Sequence, residues 1–289
     1  MTTGLPPHAD QSTPPSSVEP PPPRVERRSA GALRQVGASL GTLGWTLVGL
    51  AIAATLWSLA VATGRFPEQL FPSVPQIYSA GQGLWQEGLL GDDIIASLRR
   101  AAVGFVLGSV IGVLVAVVTA TTAVGRNVLQ PVLRVFSPIP TIGLVPLAIL
   151  WFGLGENSKV LVITLGVFVP VWINSHAGLS STPTDYLKAA RCLGAGRWQT
   201  LRKVILPEAA PDIVSGLRVG AAMAFVLIVV AEMTGTTAGI GYRIYQAQLF
   251  SQADRLIFCL LVLGVIGALC DVTINKVAAP FIRWAKEQH

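Results

Sequence analysis

Apolar residues gather into long uninterrupted runs separated by short polar stretches. Six runs can be read, near 42–62, 101–120, 132–152, 159–174, 212–232 and 256–278. A helix needs about 20 apolar residues to cross roughly 30 Å of hydrocarbon, so each run is a candidate span, the third and fourth being interrupted or short. Lipid cannot satisfy backbone polar groups, which leaves helices or a closed barrel. Continuous runs, rather than ten-residue alternation, select helices. The expected fold is all-α, a polytopic membrane protein with about six transmembrane helices.

The third run is unusual because Pro131, Pro138, Pro140 and Pro146 each remove a helical donor. Such a span must kink or unwind, which a bilayer tolerates only where protein or a watery cavity satisfies the freed backbone. Ser137, Pro138, Pro140 and Thr141 are therefore expected to border a translocation path, with repair of the kink by the two hydroxyls as the plainer alternative. Glu232, at the end of the fifth run, is a further polar candidate for the path; an acid near the interface can equally snorkel to water.

Composition agrees with a membrane protein: 52% of residues are hydrophobic, 12% are charged, and the mean hydropathy is +0.59. Residues 1–35 differ, with Pro, Ser and Thr clusters and few large apolar groups, and are expected to form a disordered cytoplasmic tail. They lack the apolar run and cleavage site of a signal peptide, so the first span is expected to remain as an anchor. Residues 40–289 form the second expected domain. Six spans place both termini on one face. That face holds the basic residues of the tail, Arg126, Arg134, Arg218, those of the 182–208 segment, and Lys276, Arg283 and Lys286; only Arg65, Arg99, Arg100, Lys159, Arg243 and Arg255 fall on the other. By the positive-inside rule both termini are cytoplasmic. This bias accounts for the formal charge of +6 without nucleic acid. Arg99 and Arg100 run against it and suggest an interfacial segment before the second span. Cys192, Cys259 and Cys270 have no metal spacing, and His8, His176 and His289 are scattered, so no metal, cofactor or catalytic residue is expected.

Between the fourth and fifth runs lies the polar segment Asp185 to Pro207, DYLKAARCLGAGRWQTLRKVILP. Thr182-Pro183-Thr184-Asp185 predicts a helix start with a hydroxyl cap and Pro at the first helical position. Leu187, Ala190 and Leu193 recur at helical spacing, and Gly194 supplies a left-handed terminator. A second helix carries Trp198, Leu201, Val204 and Ile205 on one stripe, with Pro207 and Pro211 expected to stop it. The result is a compact hairpin at about 182–208.

From Lys188 the segment reads KAA, three residues, Gly194, nine residues, Val204, one residue, then Leu206-Pro207. It resembles the EAA loop of the membrane subunits of ATP-binding-cassette importers, the binding-protein-dependent permeases. PVLRVFSPIPTIGLVPLAILWFGLGENSKV and VVAEMTGTTAGIGYRIYQAQ are similar to the nitrate, sulfonate and taurine branch of that family. The resemblance implies a type I importer permease fold in the bacterial inner membrane and no enzymatic activity of its own. Indeed Gly153 to Lys159 lacks the spacing of a phosphate-binding loop. It further implies a cytoplasmic ATPase dimer, a periplasmic or lipid-anchored solute-binding protein and a second permease copy as partners, besides membrane lipid. The ATPase contact falls on Lys188, Ala189, Ala190, Leu193, Gly194, Trp198, Leu201, Leu206 and Pro207. Lys188 stands where the family usually has Glu, a reversal of charge. A secondary carrier would show related halves and ionisable groups at mid-membrane; a membrane enzyme would show converging acids or metal ligands at depth. Neither pattern is evident.

Overall fold

A computed structural model describes residues 28–64, 67 and 69–281. The chain divides into two units, residues 1–56 and 57–289. Among the described residues all regular structure is helical, and five helices are long and apolar enough to cross a membrane, or six with one bent pair counted as a span. The tail read at 1–35 lies outside the described residues up to position 27, whereas α1 (Arg28–Ala62) already begins at Arg28. Its 19-residue apolar stretch is Gly44–Ala62.

Within the second unit, α3 (Leu89–Thr121), α6 (Glu156–Ser180) and α9 (Leu206–Met233) form the packed centre. Gly104, Gly108 and Gly112 recur every fourth residue and form the face that α3 turns to α6. A Cβ at Gly108 would stand 2.6 Å from the Thr164 carbonyl oxygen, and one at Gly112 3.1 Å from that of Phe168. Gly216 and Gly220 of α9 meet α6 in the same way, against Asn174 and Val171. Lipid supplies little hydrophobic drive for helix association, so close approach through small residues is what packs these spans. Val162, Ile163, Val167, Val171, Leu227 and Ile228 fill the centre.

Two helices were not legible as spans. The first, α2 (Val74–Gln86), begins with Pro75 in its first turn and with Gln76 Oε1 accepting from the Ser73 amide at 2.7 Å. The other, α10 (Ile240–Leu249), precedes the last span, α11 (Ala253–Ala278). The interfacial segment expected before the second span is instead the first turns of α3, which runs unbroken from Leu89 through Arg99 and Arg100.

The third run is broken. A π-helical turn (Gly125–Leu129) and α4 (Gln130–Phe136) are followed by a 3-10 turn (Thr141–Leu144) and α5 (Val145–Phe152), and the two halves meet at 86°. The hairpin consists of α7 (Thr184–Cys192), α8 (Arg197–Thr200) and a second π turn (Leu201–Ile205) that continues directly into α9. Pro207 and Pro211 therefore do not stop the second arm; Arg197–Met233 is one 37-residue helix. Each π turn ends just before a proline. Gln130 donates to the Gly125 carbonyl ahead of Pro131, and Leu206 to the Leu201 carbonyl ahead of Pro207. A proline cannot donate to the carbonyl four residues back and its ring crowds that oxygen; widening the preceding turn removes the conflict without ending the helix.

Candidate functional site

The hairpin closes through Gly194, at φ +76°. Ala195 donates its amide to the Ala190 carbonyl at 3.0 Å and Gly194 to that of Arg191 at 2.9 Å, the paired bonds that finish a helix on a left-handed residue. A Cβ at Gly194 would meet nothing within 4 Å, so within the protomer glycine is required by backbone conformation alone. The second arm starts with the Gly196 amide donating to Gln199 Oε1 at 3.2 Å. The first arm starts later than the sequence suggests: Pro183 occupies the cap position, and among the described residues the buried Thr182 hydroxyl has no partner.

The elbow leaves two large apolar side chains in the open, Leu193 at 88% and Trp198 at 70% exposure. Lys188, Ala189 and Pro207 are exposed, Leu201 and Leu206 half-buried, and Ala190 is packed inside. Lys188 Nζ lies 3.1 Å from Asp185 Oδ1, one turn back, with both side chains in solvent. Exposed apolar groups on a polar hairpin are suited to burial against another body.

Ser137 and Thr141, both half-buried, flank the break in the third run. Pro138 leaves the Arg134 carbonyl without its helical donor, and the Ser137 hydroxyl donates to that oxygen at 3.1 Å. Kink repair thus occupies the Ser137 hydroxyl. Thr141 lies beside Gly166 of α6, and Pro138 and Pro140 are exposed.

Glu232 sits differently from the expectation that it borders a path or snorkels. Its side chain is fully enclosed at the end of the bundle opposite the hairpin. Arg100 Nη1 donates to Oε1 at 2.6 Å, Ser97 to Oε2 at 2.7 Å and the Gly241 amide to Oε2 at 3.0 Å. Arg100 also binds Glu156 through Nε and Nη2, and the Ala238 carbonyl through Nη1. Asp93 accepts from the Gly239 amide at 2.7 Å and from Arg243 Nε at 2.5 Å; the Ser97 hydroxyl accepts from the Ile240 amide at 2.9 Å. The amide of the cap residue Gly239 and the first two amides of α10, which lack partners within the helix, are thus satisfied by side chains of α3 and α9. Gly239, at φ +126°, is needed because the Glu232 carboxylate occupies the space a Cβ would take. Lys159 Nζ is held by the Leu154, Gly155 and Gly235 carbonyls at 3.1–3.3 Å. Sequence reasoning missed Asp93, Ser97, Arg100, Lys159 and Arg243; the one available signal was that Arg99 and Arg100 opposed the charge bias.

A family model described as the binding-protein-dependent transport system inner membrane component matches residues 108–281, more than half of the chain. The chain belongs to this family. It is 32% identical over 260 residues to the taurine transport system permease protein TauC of Escherichia coli, covering 88% of this chain and 92% of that one. It is also 32% identical over 234 residues to the Bacillus subtilis protein named as an aliphatic sulfonates transport permease, SsuC, with 81% and 85% covered. Among solved structures, the MetNI methionine transporter is similar at TM-score 0.54 and 22% identity, over 72% of this chain and 99% of that one. An amino acid transporter is similar at TM-score 0.54 and 19% identity, over 70% and 96%. The fold is that of a type I importer permease. This permease is a transporter subunit and not an enzyme, and membership of the family implies an ATPase and a solute-binding protein as partners.

Proposed function

We propose that this permease forms, as a homodimer in the bacterial inner membrane with both termini cytoplasmic, the path for a small anion of the aliphatic sulfonate, taurine or nitrate type. The solute is delivered by a periplasmic or lipid-anchored binding protein, and a cytoplasmic ATPase dimer drives the cycle through the 182–208 hairpin. The observation that carries the coupling role is the elbow at Gly194, which holds Leu193 and Trp198 out into solvent together. Names of the relatives support sulfonate and taurine, and nitrate rests on the sequence resemblance alone.

The mechanism rests on one continuous element. Because Arg197–Met233 is a single 37-residue helix, about 55 Å long at 1.5 Å per residue, a displacement of the hairpin moves the far end of α9 as a lever. That end carries Glu232 and is tied through Arg100 and Ser97 to α3 and through Gly241 to α10. Motion of the ATPase is therefore passed to the whole outer end of the bundle as a rigid body. Ser137, Pro138, Pro140 and Thr141 border the path at the broken span, which lacks a continuous helical ladder and can yield as α9 moves. Glu232 belongs to the moving scaffold.

The test is reconstitution of the permease with its ATPase and binding protein in liposomes. Taurine, a short alkanesulfonate or nitrate should stimulate ATP hydrolysis and accumulate in an ATP-dependent way. Accumulation of a carboxylate amino acid with no response to any of these three solutes would sink the solute assignment and leave the importer role standing.

A further inference from the structure

At the end of the bundle opposite the hairpin, a cavity of about 300 Å3 opens between α2, α10 and the start of α11. Four of its lining side chains bear hydrogen-bonding groups, Arg243, Gln246, Gln252 and Arg255, while Leu84 and Phe250 supply apolar wall. Arg243 is already fixed: Nε is held by the buried carboxylate of Asp93 and Nη1 by Gln246 Oε1 at 2.9 Å. Gln246 is in turn oriented by the Tyr242 hydroxyl at 2.7 Å. Among the described residues Arg243 Nη2 has no hydrogen-bond partner. Arg255 is held more loosely, by a single contact of 3.1 Å from Nη2 to Glu87 Oε1, with both side chains partly in solvent. Its Nε and Nη1 have no partner among the described residues.

We propose that this cavity is a seat for a tetrahedral oxyanion group, the chemistry shared by a phospholipid phosphate and a free sulfonate or phosphate. The proposal goes beyond the transport reading and does not depend on it. Two guanidinium groups and two carboxamides, one of whose N–H groups is already given to Tyr242, line the same cavity, and planar donors of this kind suit oxyanions. Each lining arginine is paired before any ligand enters, Arg243 with Asp93 and Arg255 with Glu87, and Asp254 beside Arg255 adds a further negative charge. Only the second pair is weak enough to exchange, since an exposed ion pair contributes about 0–1 kcal/mol. Arg255 is therefore the mobile donor and Glu87 the internal competitor that the ligand displaces, while Arg243 stays in place. Around the mouth, Trp85, Leu249 and Phe250 are exposed at 70%, 62% and 70%. Apolar and aromatic groups around a basic pocket at the end of spans are the setting in which lipid headgroups are held.

The experiment uses the full chain in dodecyl maltoside micelles, which carry no phosphate or sulfonate, with helical content and elution profile as checks on folding. In one arm, short-chain phosphatidylglycerol is titrated and bound equivalents are counted by native mass spectrometry. In the other, methanesulfonate and inorganic phosphate are titrated with no phospholipid added. We expect one saturable equivalent in at least one arm, weakened at least about tenfold by Arg255→Gln and strengthened severalfold by Glu87→Gln. Phosphatidylglycerol alone would identify a lipid seat, and the free anions alone a solute or inorganic anion seat; either supports the proposal. Binding in neither arm, or binding that neither variant changes, overturns it. Should Arg255→Gln not insert, the expected gain on Glu87→Gln decides by itself.

Discussion

The two ends of the helical bundle treat polar and apolar groups in opposite ways. At the hairpin, Leu193 and Trp198 face solvent, the ion pair between Lys188 and Asp185 is exposed, and the space around Gly194 is empty. At the far end, Glu232, Asp93 and Arg100 are buried, their bonds join four helices and a turn, and the backbone at Gly239 presses against a carboxylate. One end leaves its large apolar groups without partners within the described residues. The other completes its contacts within the chain. The transmission of motion proposed above needs that asymmetry, because a loosely held far end would absorb the displacement.

The sharpest way to break this contrast is at Glu232. Glu232→Ala should leave Arg100 short of a partner and expose the Ser97 hydroxyl and the Gly241 amide to an apolar interior, a loss of about 3–5 kcal/mol for a broken buried pair. The purified variant should show a clearly lower thermal midpoint in detergent and lower yield in the membrane. An unchanged midpoint would mean that water reaches the carboxylate and that it lines the path after all.

At the hairpin the corresponding change is Gly194→Val, and the expected loss is of association. A β-branched residue at φ +76° costs of order 1–3 kcal/mol in backbone strain, and relieving it would displace Leu193 and Trp198 relative to one another. The variant should insert, retain its thermal midpoint to within that strain, and fail to hold the ATPase on pull-down. Trp198→Ser should keep the fold intact and weaken ATPase association by about 2 kcal/mol or more if the indole is an anchor. A normal complex with both variants would show the hairpin to be an ordinary surface loop.

The same asymmetry explains what could be read from the chain. Runs of apolar residues report lipid, so the spans emerged directly, and the hairpin emerged because its turn chemistry is local: a helix stripe, then Gly194. The break in the third run was equally local, written in Pro138 and Pro140. The far end was not legible because its partners are distant in sequence. Arg100 meets Glu232 across 132 positions and Arg243 meets Asp93 across 150, and no periodicity predicts such pairs. The prolines misled for a physical reason as well. Pro207 is a helix breaker by its missing donor, yet a single π turn absorbs it, and nothing in the residues Leu201 to Ile205 announces that turn.

A smaller effect separates repair from passage at the broken span. Ser137→Ala removes the donor to the Arg134 carbonyl and should lower stability by about 1 kcal/mol, while the apparent KM for uptake stays within about twofold. Thr141→Leu keeps that repair but places bulk beside the break, and should slow uptake with ATPase assembly intact. If Ser137→Ala instead raised KM several-fold with no change in thermal midpoint, its hydroxyl would be meeting the solute.

The least effect is expected at Lys188, where the family's usual acid is reversed. Lys188 and Asp185 are both solvated, at 71% and 87% side-chain exposure, so the pair contributes about 0–1 kcal/mol and its loss should not unfold α7. Lys188→Glu places a second acid one turn from Asp185, a repulsion of a few tenths of a kcal/mol on an exposed helix. If position 188 sits at the rim of the ATPase contact, uptake and pull-down should match the parent at physiological salt. A loss of association confined to Lys188→Glu, relieved by raising the salt concentration, would place an acidic residue of the ATPase opposite Lys188. The reversal of charge in this chain would then be one half of a matched pair across the interface.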